Sequence, residues 1–464
     1  MIERGLFKKY DIRGRAEGDG APLTPQAAHL IGRAFGAHLR AAGRTEAIVG
    51  QDNRRTSPAL AEAVSAGLSE AGIAVQDIGL TSTPVVYWYA MQQDEAGAVM
   101  VTGSHLAPEQ NGFKLAIGVR NLYGDAIAAL HARIAAGDLP TGDGSIMHLP
   151  AEAIRERYQA DLLRRVWMAR PLTVVVDAGS GTAGLIAPDL FEGWGHTVIR
   201  LYCEPDAAYP HHHPDPQEPK NLADLAAKVV EVGADIGIAF DGDADRMGAV
   251  DETGQIIPAD RLLTLLALDL LQRQPGAAIV ADVLTSQTFF DAVAVAGGRP
   301  ELWASGHSLV KARMAEIGAP LGGEMSGHIF LGEDYYGCDD AYLAAGRLLN
   351  LIGSADRPLS ALNAALPAYV STPEYRPRCP DEDKASVIAG VRAALADDPA
   401  VRAITEVDGI RIQYDAGWGL LRASNTEPVL SLRFEGRTEA DALAIRRRFF
   451  DVLRTYPVVT GLPD

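Results

Sequence analysis

Three aspartates at alternate positions, Asp241, Asp243 and Asp245, run directly into Arg246. Like charges this close repel, and a divalent cation is the usual offset; Mg²⁺ prefers hard oxygen ligands and shares them with a substrate phosphate. The apolar run over 236–240 reads as a buried strand, which sets the carboxylates at a strand end rather than on a solvated acidic turn. Glu252 falls at the twelfth position from Asp241, as in a calcium-binding loop. That loop needs glycine where Arg246 stands and helices on both sides, so calcium is excluded.

Three further runs carry reactive groups. Thr102-Gly103-Ser104-His105 ends a second apolar run and leads to Asn111-Gly112-Phe113-Lys114. A serine on such a turn lies where open α/β sheets bind ligands, and it suits a nucleophile or phosphoryl carrier as well as a simple turn cap. Gly323-Glu324-Met325-Ser326-Gly327-His328 joins carboxylate, hydroxyl and imidazole, a set that fits sugar hydroxyls and proton transfer. Arg422-Ala423-Ser424-Asn425-Thr426 offers a guanidinium, hydroxyls and an amide, a phosphate cradle in composition. Two other runs are lures. Gly179-Ser180-Gly181-Thr182-Ala183-Gly184 matches a dinucleotide fingerprint, but Pro188 interrupts the helix it needs, so a tight turn between domains is expected. His211-His212-His213 lies among prolines in an extended segment, and a structural role is expected there.

Strands and helices alternate from the first third onward, the mark of α/β layers. Strands are expected over 47–50, 97–102, 172–177 and 277–282, and helices over 58–71, over 152–166, from 260 and after 285. The runs 409–414 and 429–434 alternate as antiparallel strands before a helix from 439. Hence an α/β chain is expected, of three similar α/β domains with mixed, mostly parallel sheets (1–147, 148–252 and 253–366). A C-terminal α+β domain (367–464) would complete it, all four around a central cleft.

The 464 residues exceed one hydrophobic core, and 47% hydrophobic content is ample for burial. A net charge of -18 argues against nucleic acid or an anionic membrane as partner, so an anionic ligand needs a local basic patch. The three cysteines lie too far apart for zinc spacing or a disulfide framework. With no signal-peptide core and no span-length apolar run, a cytoplasmic protein is expected.

Taken in order, these motifs resemble the α-D-phosphohexomutase superfamily, in its bacterial phosphomannomutase/phosphoglucomutase branch. Tyr10-Asp11-Ile12-Arg13-Gly14 is similar to the family's N-terminal signature; the runs at Ser104, Asp241, Glu324 and Arg422 are similar to its phosphoserine, magnesium, sugar and phosphate loops. The resemblance implies phosphoserine at Ser104, with Mg²⁺ bridging Ser104 to Asp241, Asp243 and Asp245. It implies exchange of hexose 1-phosphate and hexose 6-phosphate (mannose, glucose or both) through a hexose 1,6-bisphosphate that also serves as activator. Arg246 would offset charge on the moving phosphoryl group, and Arg13, Lys114 and His328 would transfer protons or position the hydroxyl, with His105 beside the serine. Tyr10, Gly306, His307, Glu324 and Ser326 would contact the sugar; Arg422, Ser424, Asn425 and Thr426 would grip the far phosphate. Small sugar phosphates would be the partners of a monomer, with a dimer as the alternative.

The chain departs from the family pattern in four places. Leu106 replaces an asparagine beside the serine, Ala244 a glycine in the metal loop, and Leu284 and Ala304 each replace a lysine. Two lost cations would weaken phosphate binding, each charge-assisted contact being worth about 1.5–3 kcal/mol. A sugar-phosphate-binding protein with weakened catalysis and a magnesium-dependent sugar phosphatase are therefore the alternative readings.

Overall fold

The computed structural model describes residues 2–424 and 428–463. The first sheet holds β1 (Ile12–Arg15), β2 (Glu46–Gln51), β3 (Ala74–Leu80), β4 (Gly97–Val101), β5 (Gln110–Ile117), β6 (Arg120–Asn121) and β7 (Ser145–His148). Their order is β1-β5-β4-β2-β3-β7, with β6 beside β5. The second holds β8 (Thr173–Asp177), β9 (Thr197–Leu201), β10 (Ile236–Phe240), β11 (Met247–Asp251) and β12 (Ile256–Ile257), ordered β12-β11-β10-β8-β9. The third holds β13 (Ala278–Asp282), β14 (Arg299–Trp303), β15 (Leu321–Gly323), β16 (Ile329–Leu331) and β17 (Cys338–Asp339), ordered β14-β13-β15-β16-β17.

One layout recurs. In each sheet a buried strand pairs parallel on one side, then turns through a short loop into an antiparallel partner: β4 into β5, β10 into β11, β15 into β16. The three loops are those carrying Ser104, the aspartates and Glu324. This corrects the expectation of mostly parallel sheets, because antiparallel pairings are as many as parallel ones in each. The reason is local: a short loop can only reverse the chain, whereas a parallel return needs a crossover.

The cores of these three domains are continuous. The helix Thr83–Gln92 is apolar on all sides and buried along nearly its whole length, as such a helix must be. An aromatic chain Trp88–Tyr158–Tyr342–Phe240, with ring centroids 5.7, 6.0 and 5.4 Å apart, crosses all three domains. Tyr158 and Tyr335 donate to Asp340, which also caps the helix Ala341–Ser354.

The fourth sheet is antiparallel throughout: β18 (Val370–Ser371), β19 (Val401–Thr405), β20 (Ile410–Tyr414), β21 (Gly417–Ala423) and β22 (Leu430–Gly436), ordered β18-β22-β21-β20-β19. It has its own core around Phe434, Phe449 and Phe450. Its contact with the third domain is narrower, with Trp418 and Leu420 packing on Val283. Arg411, stacked 3.8 Å over Trp418, donates to the carbonyls of Val283 and Thr285, and Arg433 to that of Leu284. Among the described residues no helix is long and apolar enough to cross a membrane.

Candidate active site

Ser104 lies just past β4 and is buried, with φ +51°. A left-handed non-glycine residue costs about 1 kcal/mol, so its surroundings must hold it there. Arg54 does so from below. Its guanidinium, fully buried, donates to the carbonyls of Ser104 (2.7 Å), Leu106 (2.6 Å), Ala107 (2.6 Å) and Gln110 (3.0 Å), and to Asp52 (3.2 Å). Asp52 in turn accepts from the Gly103 N–H at 3.1 Å.

The acidic loop between β10 and β11 meets this turn face to face. Ser104 Oγ donates to Asp241 Oδ2 at 2.7 Å and lies 3.1 Å from His105 Nδ1. Gly242 comes so close that an added Cβ would sit 2.5 Å from the Ser104 carbonyl oxygen. Asp241, Asp243 and Asp245 are all fully buried. Lys114, reaching from β5, donates to Asp243 Oδ2 (2.6 Å) and to Asp245 Oδ2, and Thr83 donates to Asp243 Oδ2 at 2.6 Å.

The electrostatics of the trio are uneven. Burial and then the charges of Asp243 and Asp245 raise the Asp241 carboxyl well above its ordinary range. Burial also works against ionised Asp243, but Lys114 and the Thr83 hydrogen bond outweigh it and hold that carboxyl low. The same two aspartates overcome burial of Lys114 and keep its ammonium protonated. Asp243 Oδ1 and Asp245 Oδ1 remain buried with no hydrogen-bond partner among the described residues. Ligand atoms of the three carboxylates come within 4.8 Å of one another. Convergent, partnerless carboxylate oxygens beside a hydroxyl fit a hard divalent cation.

Across the cleft stands the third domain's loop. Glu324 Oε1 accepts from the Gly306 N–H at 2.6 Å, and burial with nearby Asp282 pushes its carboxyl up to about 7. His328 Nε2 accepts from Arg246 Nε at 2.9 Å, and its Nδ1 lies 3.2 Å from Asp339 Oδ2. Asp339 is held by Lys311 at 2.7 Å. Burial, then Lys311, lowers the His307 imidazole well below its usual value; burial, then Arg246 and Arg13, does the same to His105. Tyr10 links the first and third domains: its OH donates to the Ser305 carbonyl at 2.8 Å and its ring covers Gly306.

These groups border one cleft of about 970 Å³. Its walls include Tyr10, Arg13, His105, Arg246, Gly306, His307, Glu324, Ser326, His328, Arg422 and Ser424. Ser104, Lys114 and the three aspartates are buried and are not part of that lining, although His105 and Arg246 beside them are. Arg422 pairs with Asp408 at 2.8 Å. Asn425 and Thr426 lie outside the described residues.

The sequence matches the phosphoglucomutase/phosphomannomutase alpha/beta/alpha domain I over residues 4–138, domain II over 153–254 and domain III over 258–369, and the C-terminal domain over 374–452. It is 43% identical to the phosphomannomutase/phosphoglucomutase of Pseudomonas aeruginosa over 462 residues, covering 100% of this chain and 98% of that one. The chain belongs to the phosphoglucomutase/phosphomannomutase family. It is also 39% identical to a phosphoglucomutase of Neisseria meningitidis, covering 98% of each. A crystal structure of a phosphoglucomutase/phosphomannomutase family protein from Burkholderia thailandensis superposes with a TM-score of 0.93 at 39% identity over 100% of both chains. Family membership at this identity and coverage carries phosphohexomutase activity, an isomerisation.

Within this phosphohexomutase fold the departures are accounted for locally. Ala244 sits at φ +60°, the conformation that favours glycine. Leu284 packs at the contact with the C-terminal domain and Ala304 is buried; neither lines the cleft. Leu106 does line it. The glycine run after β8 is a prop: Thr182 donates to the Gly242 carbonyl through both N–H and Oγ1, and Asn53 reaches the Ser180 carbonyl. Pro188 opens the helix Ala187–Gly193 rather than interrupting one. In the histidine run, His211 stacks on Tyr202 at 3.8 Å, His212 bonds Asp177 and His213 bonds the His105 carbonyl. Sequence reasoning missed Arg54, Thr83, Lys311 and Asp339, and the cleft cations Lys8, Lys9 and Arg376. Asp52 and Arg54 had a signal: paired charges directly after a buried strand at the sheet end that carries Ser104.

Proposed function

We propose that this enzyme interconverts the 1-phosphate and 6-phosphate of mannose or glucose through phosphoserine at Ser104 and a hexose 1,6-bisphosphate. The observation that carries the reading is the contact of Ser104 Oγ with Asp241 at 2.7 Å, at a seam whose adjoining residues His105 and Arg246 line the cleft with Glu324 and His328. Asp241, Asp243 and Asp245, with the phosphate on Ser104, would hold Mg²⁺. When bound, the ion supplies positive charge against the charge that spreads over the phosphoryl oxygens.

The chain's own groups account for the rest. Arg54 fixes the serine turn, so the Ser104 oxygen is held in place for the displacement. Arg246 and Arg13, on the cleft wall, add positive charge where the phosphoryl group passes. As the phosphorus–oxygen bond to Ser104 breaks and one to the sugar hydroxyl forms, the hydroxyl loses its proton. For His328 to take that proton, its Nε2 must exchange the Arg246 N–H for the hydroxyl, while Asp339, facing Nδ1, would offset the imidazolium that forms. Lys114 is locked as a cation between two carboxylates and Arg13 never deprotonates, so both position rather than accept. Glu324 and Ser326 would take sugar hydroxyls, with Tyr10, Gly306 and His307 beside them. Arg422, Ser424, Asn425 and Thr426 would take the far phosphate. The bisphosphate then turns round and returns its other phosphoryl group to Ser104. A cleft near the top of the roughly 300–1,000 Å³ range of small-molecule sites gives room for the turn.

Intact mass measured before and after incubation with glucose 1,6-bisphosphate tests the carrier. A phosphate-sized gain that vanishes in Ser104→Ala is expected, together with Mg²⁺-dependent conversion of glucose 1-phosphate. Conversion that persists in Ser104→Ala would overturn the proposal.

A further inference from the structure

Leu284 and Ala304, where the family pattern has lysines, bring no cation to the third domain's side of the cleft. The cleft nevertheless carries cations elsewhere, on walls the sequence patterns did not single out. Lys8 and Lys9 line it from the first domain, and Arg376 from the C-terminal domain. Neither lysine has an ion-pair partner among the described residues, although each shares the cleft with carboxylates. Glu3, Asp11, Glu324 and Glu374 are those carboxylates; Asp11 is taken up by Arg13, and Glu374 lies 3.8 Å from Arg376.

The lysines sit on a fixed backbone. The Lys8 N–H donates to the Asp11 carbonyl at 2.9 Å, and the Lys9 carbonyl accepts from the Gly124 N–H at 2.7 Å. Lys9 Nζ lies 5.4 Å from the centre of the Tyr10 ring, and Tyr10 is pinned to Ser305 and Gly306 of the sugar-facing wall. The segment therefore presents two ammonium groups beside the sugar loop, and Lys9 and Arg376 are exposed at the rim. In a protein of net charge -18, a bisphosphate that lets go of one wall is repelled outward unless local cations hold it.

We propose that Lys8 and Lys9, with Arg376 on the C-terminal wall, form an anion station that retains the hexose bisphosphate while it turns round between the two phosphoryl transfers. The charge missing at Leu284 and Ala304 is thereby moved to the first and fourth domains. This rests on the bisphosphate reading above and adds to it the residues that keep the intermediate from escaping.

The test is the double variant K8A/K9A beside the charge-keeping K8R/K9R. The readout is the glucose 1,6-bisphosphate concentration that gives half-maximal activation of glucose 1-phosphate isomerisation at saturating Mg²⁺. For two partly exposed charges, that concentration should rise about tenfold in K8A/K9A, with kcat at saturating bisphosphate within about twofold of the parent. K8R/K9R should behave as the parent, and the dependence of half-activation on salt should be shallower in K8A/K9A. Arg376→Ala should shift half-activation in the same direction. Unchanged half-activation and an unchanged salt slope in K8A/K9A, with the parent enzyme normally active, would overturn this inference alone. A parent enzyme that isomerises with no response to bisphosphate would overturn the underlying reading, and this inference with it.

Discussion

The seam between the first two domains and the wall formed by the last two do opposite things with charge. At the seam, three aspartates, Lys114 and Arg54 are buried beyond the reach of water, and the cations are pinned by named partners. On the opposite wall, Arg376 is exposed, Arg422 is half-buried and the C-terminal domain keeps a separate core. Buried charges are costly unless fully satisfied, so they fix geometry; exposed ones cost little and can be moved through evolution. The displacement of phosphate requires fixed geometry, whereas holding a ligand that must leave and rebind does not. The departures from the family pattern at Leu284 and Ala304 fall on the third domain, away from the cleft lining, while the seam keeps its charges.

The contrast can be broken at either end. Ser104→Ala should cost the most, at least about a thousandfold in kcat by coupled assay, since the proposed covalent carrier has no substitute. Arg54→Met comes next, and tests whether the seam is rigid because its charges are satisfied. Losing the bonds to four carbonyls and Asp52 should destabilise the protein by about 3–5 kcal/mol in urea unfolding. A variant as stable as the parent would contradict the picture. Arg422→Ala, on the gripping wall, should raise KM for glucose 1-phosphate about tenfold or more with little change in unfolding midpoint, the reverse of the Arg54 signature.

Smaller effects sharpen the comparison. The Glu324 carboxyl is raised from 4.5 to about 7, so across that window the folded chain binds the proton more tightly than the unfolded chain. Its contribution to stability therefore falls as pH rises from 4.5 to about 7, while the ionised acceptor that the proposed sugar contact needs is gained. KM should rise as pH falls below about 7, and Glu324→Gln should lose that dependence when both are measured from pH 5.5 to 8. Ala244→Gly should be the mildest, stabilising the protein by about 0.5–1 kcal/mol by relieving the φ of +60°. No gain in thermal midpoint would mean that the seam already absorbs that strain.

Much of the site was legible because its chemistry is local. Ser104, the aspartates, Glu324 and Arg422 each sit in a short run whose composition suggests what it can bind, and an expected apolar strand precedes Ser104 and the aspartates. The partners that hold those runs were not legible. Arg54 serves a loop that starts about fifty residues later, and Thr83 donates to an aspartate 160 residues away. Sheet polarity is not legible in the sequence for a related reason. Periodicity shows that a strand exists, but not which way its neighbour runs, and that was settled by hairpins that carry the functional loops.

The sequence by itself determined which groups are present, the strands before Ser104 and the aspartates and the order of the loops along the chain, because hydrophobic period and turn composition act over a few residues. The tertiary structure decided that Ser104 bonds Asp241 directly, that Lys114 is buried against Asp243 and Asp245, and that Lys8 and Lys9 line the cleft where Leu284 and Ala304 do not. Those outcomes depend on contacts between residues far apart in the chain, whose pairing is selected by how three similar sheets share one core.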